Sequence, residues 1–150
     1  MRVVIQRVSQ AKVEINGLMK AEIEKGMLVL LGIESADEKA DADWLCTKLS
    51  KLRIFSDEAG QMNLDINTIG GSFLVVSQFT LHGNAKKGNR PSFIRAARPE
   101  QAIPLYNYFV KMLEELSACA VKTGEFGADM QLTLVNDGPV TLIMDTAENQ

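Results

Sequence analysis

Residues 12–33 read "KVEINGLMKAEIEKGMLVLLGI". Val13 and Ile15 alternate with Lys12, Glu14 and Asn16, the period of a strand with one buried face. Asn16-Gly17 is the favoured pair for a two-residue hairpin turn, whose central residues both need positive φ. The stretch "MLVLLGI" (27–33) is then a continuous apolar run, as in a strand buried on both faces. A hairpin followed by a fully buried strand sets a sheet at the start of the fold.

Two helical patterns follow. Ser35 to Glu38 reads S-x-x-E, a capping box. Ala42, Leu45, Leu49 and Leu52 then fall on one helical face and predict a helix over 36–52. From Pro99 to about Leu116, Tyr106, Phe109, Val110, Leu113 and Leu116 make a second amphipathic helix. Pro104 fits a first turn or a kink, which moves the expected start towards Ile103. Around these lie short strands in "LRIFSDEAGQMNL", a central strand in "GGSFLVVSQFTL" (70–81), an irregular basic loop in "HGNAKKGNRPSF" (82–93) and an alternating strand in "DMQLTLV". About seven short strands and two helices predict an α+β fold: a curved, largely antiparallel, barrel-like sheet with the helices packed against it.

The bulk numbers bound the class. At 150 residues the chain is expected to form one domain over 1–150. The net charge of −3 speaks against wholesale electrostatic binding to nucleic acid while leaving room for a local basic patch. No apolar stretch approaches the ~20 residues of a membrane span, and "MRVVIQRV" lacks signal-peptide architecture, so the cytoplasm is the default expectation. Cys46, Cys119 and the single histidine, His82, supply neither a disulfide framework nor a zinc site. Both cysteines are expected to be small buried hydrophobes, and neither a metal nor a cofactor is expected.

Four features carry chemistry. In "FLVVSQFTL" the apolar run turns polar at Ser77, Gln78 and Thr80, which reads either as a site, since buried groups need a backbone or a ligand as partner, or as a sheet edge emerging into solvent. The period of a strand puts Gln78, Thr80 and His82 on one face, yet no acid is designated to orient the imidazole, and a solvent-facing loop histidine is expected. Lys86, Lys87 and Arg90, with Arg95 and Arg98 beyond, form the basic concentration of an acidic chain and suit phosphate contacts. Phe126 in "GEFG" is either an exposed ring for stacking a base or a core side chain. In "VNDGPVTLIM" (135–144) Gly138-Pro139 sits where a strand should begin pairing, and Pro139 has no N–H to give. It reads either as a trans proline ending a strand or as a cis peptide in a tight turn.

Together "VSQFTL", the "GNRPSF" loop and "NDGPVT" resemble the D-aminoacyl-tRNA deacylase family, first named for D-tyrosyl-tRNA. The likeness runs the length of the chain, from "IQRV" through "GMLVLLGI" and "RIFSDEAGQMNLDI" to "TGEFGADMQLTLVNDGPVT". It implies a cytoplasmic homodimer that hydrolyses the ester between a D-amino acid and the terminal adenosine of tRNA, and that also removes glycine from non-cognate tRNA. It further implies that Gly138-Pro139 is cis and reaches into the partner subunit's pocket, where its carbonyl oxygens exclude an L side chain. Ser77, Gln78, Phe79 and Thr80 would line the aminoacyl pocket. Phe126 and Met130 would touch the adenosine, and Arg7 would support the Gly-Pro loop. Catalysis is expected to run through the adenosine 2′-OH, with backbone amides near Phe79 stabilising the oxyanion, rather than through a Thr80 ester. A nucleic-acid-binding dimer without turnover is the rival reading.

Overall fold

The computed structural model describes residues 1–149. Strands β1 (Arg2–Ile15) and β2 (Leu18–Ile23) form the expected hairpin, with Ile15 opposite Leu18 and both turn residues at positive φ (Asn16 52°, Gly17 75°). β3 (Gly26–Gly32) runs antiparallel to the first half of β1, and β8 (Gln131–Asp145) pairs with the other edge of β1 over nearly its whole length. β6 (Ser72–Ser77) lies parallel to β3, and β7 (Val121–Thr123) parallel to β6. A separate ribbon joins β4 (Phe55–Ser56) and β5 (Met62–Leu64).

The main sheet is therefore mixed, where a largely antiparallel one was expected, and it has six strands, which with the two of the ribbon make eight where about seven were expected. The cause lies in the connections. A parallel pair needs a crossover, and helices α1 (Lys39–Lys51) and α2 (Pro99–Ser117) supply those from β3 to β6 and from β6 to β7.

Alternation along the strands divides the core. Val3 and Ile5 of β1, Met27, Val29 and Leu31 of β3, and Phe73 and Val75 of β6 pack under the helices with Leu45, Leu49, Phe109 and Leu113. Leu28, Leu74 and Val76 point the other way and pack with Val8, Ala11 and Val13 of β1. β1 changes parity between Ile5 and Ala11 because its pairing with β8 slips between Val8 and Gln10, and a slip of one residue turns the following side chains to the opposite face.

The ends of the helices differ from expectation. α1 starts at Lys39 with Glu38 as its N-cap, and the Asp41 carboxylate accepts from the Glu38 amide at 2.8 Å. Ser35 is not the cap: its N–H goes to Arg95 O, while Asp37 accepts the Glu34 N–H at 2.7 Å and holds the preceding residues in a turn. α2 starts at Pro99, with Pro104 inside it. The carbonyl left without a donor by Pro104 is that of Glu100, an exposed residue, so water can satisfy it. Of the two cysteines, Cys46 is buried and its thiol is pushed up to about 12 by burial, whereas Cys119 is only partly buried.

Candidate active site

The strand expected over 70–81 stops at Ser77. Gln78 leaves the extended region for φ −145°, ψ 79°, and Phe79–His82 wind into a 3-10 turn. Gln78 still gives its N–H to Leu31 O at 2.8 Å, which fastens the turn to β3. The leading N–H groups of such a turn, those of Phe79 and Thr80, have no acceptor within it.

The turn breaks the period of two, so Thr80 and His82 do not share a strand face. His82 is also not a solvent-facing loop residue. It is 4% exposed, and its Cδ2 packs over Gly32, where a Cβ would stand 3.1 Å away. Neither ring nitrogen has a hydrogen-bond partner among the described residues, so the imidazole does not hydrogen-bond to the hydroxyl of Ser77 or Thr80. Thr80 Oγ1 instead accepts from Gln78 Nε2 at 2.6 Å.

Ser77, Gln78, Phe79 and Thr80 line a cleft of about 270 Å³ together with Phe126 and Met130, and Leu31, Ile33 and Ala102 also line it. Two supports place Phe126 and Met130. The Tyr106 hydroxyl donates to Val75 O at 2.8 Å, burial pushes that phenol up to about 12, and its ring meets Phe126 edge-on at 5.9 Å. Gly124 lets Met130 lie close, since a Cβ there would stand 2.5 Å from Met130 Sδ. Phe126 is half-buried: it packs against the core and also lines the cleft. Asp129 also lines the cleft, and the sequence carries no pattern that would have singled it out.

Arg7, Gly138 and Pro139 gather elsewhere. Gln6 pairs with Thr141 and Val8 with Asn136, so residues 137–140 leave the ladder opposite Arg7. Gly138-Pro139 therefore does not close a hairpin. Both flanking segments belong to β8, and the Gly-Pro pair is an excursion between them. Arg7 holds it, donating from Nε to Asp137 O at 2.9 Å and from Nη1 to Ile54 O at 2.6 Å. Gly138 has φ 128°, a Cβ on it would meet Arg7 Nη2 at 2.8 Å, and the Gly138-Pro139 peptide is cis. Gly138 and Pro139 are exposed and do not line the cleft of their own chain. Lys86, Lys87 and Arg90 lie on an exposed loop closed by paired hydrogen bonds between Asn84 and Ser92, also outside the cleft.

This geometry can be set beside known proteins. Residues 4–145 match the family model described as D-Tyr-tRNA(Tyr) deacylase. A D-aminoacyl-tRNA deacylase of Phocaeicola vulgatus is 57% identical over 150 residues, covering 100% of both chains. One of Cytophaga hutchinsonii is 58% identical over 147 residues, covering 98% of each. A solved structure described as c-Myc DNA Unwinding Element Binding Protein superposes with a TM-score of 0.92 at 38% identity, covering 97% of this chain and 98% of that one. A second, of a probable eukaryotic D-amino acid tRNA deacylase, shares the fold with a TM-score of 0.84 at 17% identity, covering 95% and 97%. Likeness of this extent defines the class as an enzyme, a deacylase that hydrolyses carboxylic esters. The chain belongs to the D-Tyr-tRNA(Tyr) deacylase family.

Proposed function

We propose that the protein hydrolyses the ester of D-aminoacyl-tRNA and of glycine mischarged on tRNA, releasing the amino acid, and that it does so as a cytoplasmic homodimer of single-domain subunits. One observation carries the reading. The polar segment Ser77–Thr80 and the pair Phe126 and Met130 line one cleft, which suits an aminoacyl group beside a nucleoside.

The N–H groups of Phe79 and Thr80 serve the developing oxyanion, and the 2′-OH of the terminal adenosine assists cleavage. The Thr80 hydroxyl orients and does not attack, since among the described residues no His82 nitrogen hydrogen-bonds to it and Gln78 already engages it.

Chiral rejection falls to Gly138-Pro139. The pair is exposed, braced by Arg7 and absent from its own cleft, as befits a group that serves a second subunit's cleft. Two further features support a dimer. Among the described residues β8 pairs through one edge only, and it exposes Val135, Leu142 and Ile143 at 47%, 38% and 69%. A carbonyl wall there excludes an L side chain and admits glycine, which has none. Lys86, Lys87 and Arg90 contact tRNA phosphates.

The description of the 38%-identical structure as a DNA-element binding protein favours a second reading, a nucleic-acid-binding dimer without turnover. Multiple-turnover release of D-tyrosine from D-Tyr-tRNA separates the two, because a binder releases no amino acid.

A further inference from the structure

Between Asp65 and Glu100 the sequence has no acidic side chain, and it carries five cations there, Lys86, Lys87, Arg90, Arg95 and Arg98. Glu34 claims Arg95 at 2.6 Å and Arg98 sits at the N-cap of α2, which leaves Lys86, Lys87 and Arg90 on the loop between Gly83 and Phe93. The paired hydrogen bonds between Asn84 and Ser92, each 2.8 Å, close that loop into an arm.

The base of the arm is aromatic. Phe93 returns beside Gly83, where a Cβ would stand 2.9 Å from its Cε1, and its ring meets Phe79 at 5.2 Å between centroids with an interplanar angle of 76°. Two rings at that angle form a corner, open to a planar group that stacks on one ring and touches the other. The corner is not sealed: Phe79 is 56% exposed, Phe93 36% and the adjoining Ile94 89%. Phe79 also lines the cleft, so cleft, aromatic corner and cationic arm follow one another outward. Aromatic faces beside a cationic track are what a single-stranded nucleic acid requires, with stacking for the bases and charge for the phosphates.

We propose that the Phe79–Phe93 corner is a stacking subsite for the nucleotide that precedes the terminal adenosine of the tRNA acceptor end, with its phosphate directed towards Lys86, Lys87 and Arg90. The proposal rests on the reading of the cleft as the site of the aminoacylated adenosine. Phe93 touches the substrate away from the reacting atoms, so its contribution is to binding and not to the chemical step.

The test compares wild type, Phe93→Leu and Phe93→Trp on D-Tyr-tRNA and on 3′-O-D-tyrosyl-adenosine, which lacks the preceding nucleotide. Phe93→Leu is expected to raise KM for D-Tyr-tRNA about tenfold at unchanged kcat, within the roughly 1–3 kcal/mol that one stacked base contributes. It is expected to leave both constants for the adenosine ester unchanged, and Phe93→Trp is expected to restore KM. An equal loss on both substrates would overturn the proposal, since Phe93 would then only brace Phe79, and so would no change on either.

A binding arm is independent of turnover. A short single-stranded RNA ending in adenosine, with 2-aminopurine as its penultimate base, is expected to change fluorescence on wild type and Phe93→Trp but not on Phe93→Leu. An equal signal on all three would overturn the subsite. Wild type that binds this RNA but cleaves neither ester would instead overturn the deacylase reading.

Discussion

Gln78 donates from Nε2 to Thr80 Oγ1 at 2.6 Å across the start of the 3-10 turn. The hydroxyl that sequence pattern offers as a nucleophile is thus held by an amide, which cannot take its proton. Thr80→Ala is expected to keep substantial turnover, within about tenfold of wild type in kcat, in multiple-turnover assays on D-Tyr-tRNA. Complete loss would restore the nucleophile reading.

The same geometry makes His82 a packing residue. His82→Ala is expected to lower stability by about 1–3 kcal/mol in denaturant unfolding, as a truncation in a buried site does, while the folded fraction keeps its kcat. A folded variant without activity would return the imidazole to the chemistry.

How much of this was legible in the sequence differs by element. Alternation and Asn16-Gly17 specified the β1–β2 hairpin down to its turn, because a two-residue turn with positive φ at both positions leaves few residue choices. The strand over 70–81 was over-read. Its apolar half is β6, but Ser77 and Gln78 mark the point where the chain leaves the ladder, and periodicity cannot distinguish a polar strand end from a turn. The burial of His82 was illegible for the same reason. Ser35 looked like a cap, but Asp37 fixes a turn ahead of the helix through a contact that spacing does not reveal. Ser77, Gln78, Thr80, Phe126 and Gly138-Pro139 stood out by pattern, while their roles, and Phe79, Met130 and Arg7, came through the resemblance. What the sequence could not show is that Ser77–Thr80, Phe126 and Met130 share a cleft that Gly138-Pro139 does not enter from its own chain.

Arg7 and Gly138 are coupled. An alanine methyl at Gly138 meets Arg7 Nη2 at 2.8 Å and adopts a φ of 128° that side chains avoid. Gly138→Ala is expected to cost about 1–3 kcal/mol of stability and to reduce the ratio of D- to L-ester cleavage. Arg7→Ala should reduce the same ratio by freeing Asp137 O, with both ratios read from initial rates on the two esters. Unchanged ratios in both variants would contradict the role assigned to the excursion.

Gly124 controls Met130. Gly124→Ala is expected to displace the Met130 sulfur from the 2.5 Å approach and raise KM for D-Tyr-tRNA several-fold with kcat preserved, measured by steady-state kinetics. Unchanged KM would remove Met130 from the nucleoside contacts.

Asp145 sets an acid limit. Burial raises its carboxyl, but the Arg2 guanidinium and the Ala147 N–H outweigh burial and hold it below the ordinary aspartate range. A folded value below the unfolded one stabilises the fold in full above roughly pH 4, and that contribution is lost as pH falls through the folded value. Asp145→Asn is expected to flatten the dependence of unfolding free energy on pH below about 4, followed by urea titrations. An unaltered dependence would contradict the assignment.

Replacing Lys86 and Lys87 together by alanine is expected to raise KM for D-Tyr-tRNA and to flatten the dependence of log KM on log salt by about 1–2. The same variant should leave the adenosine ester untouched, and an unchanged salt slope would place tRNA docking elsewhere.

The most direct test is the hydrolysis of D-Tyr-tRNA and L-Tyr-tRNA, side by side, by purified protein at catalytic concentration. Rapid multiple-turnover loss of the D-ester with the L-ester intact is the predicted result. Loss of both at one rate would contradict the chiral filter, and binding of both without loss of either would contradict the deacylase reading.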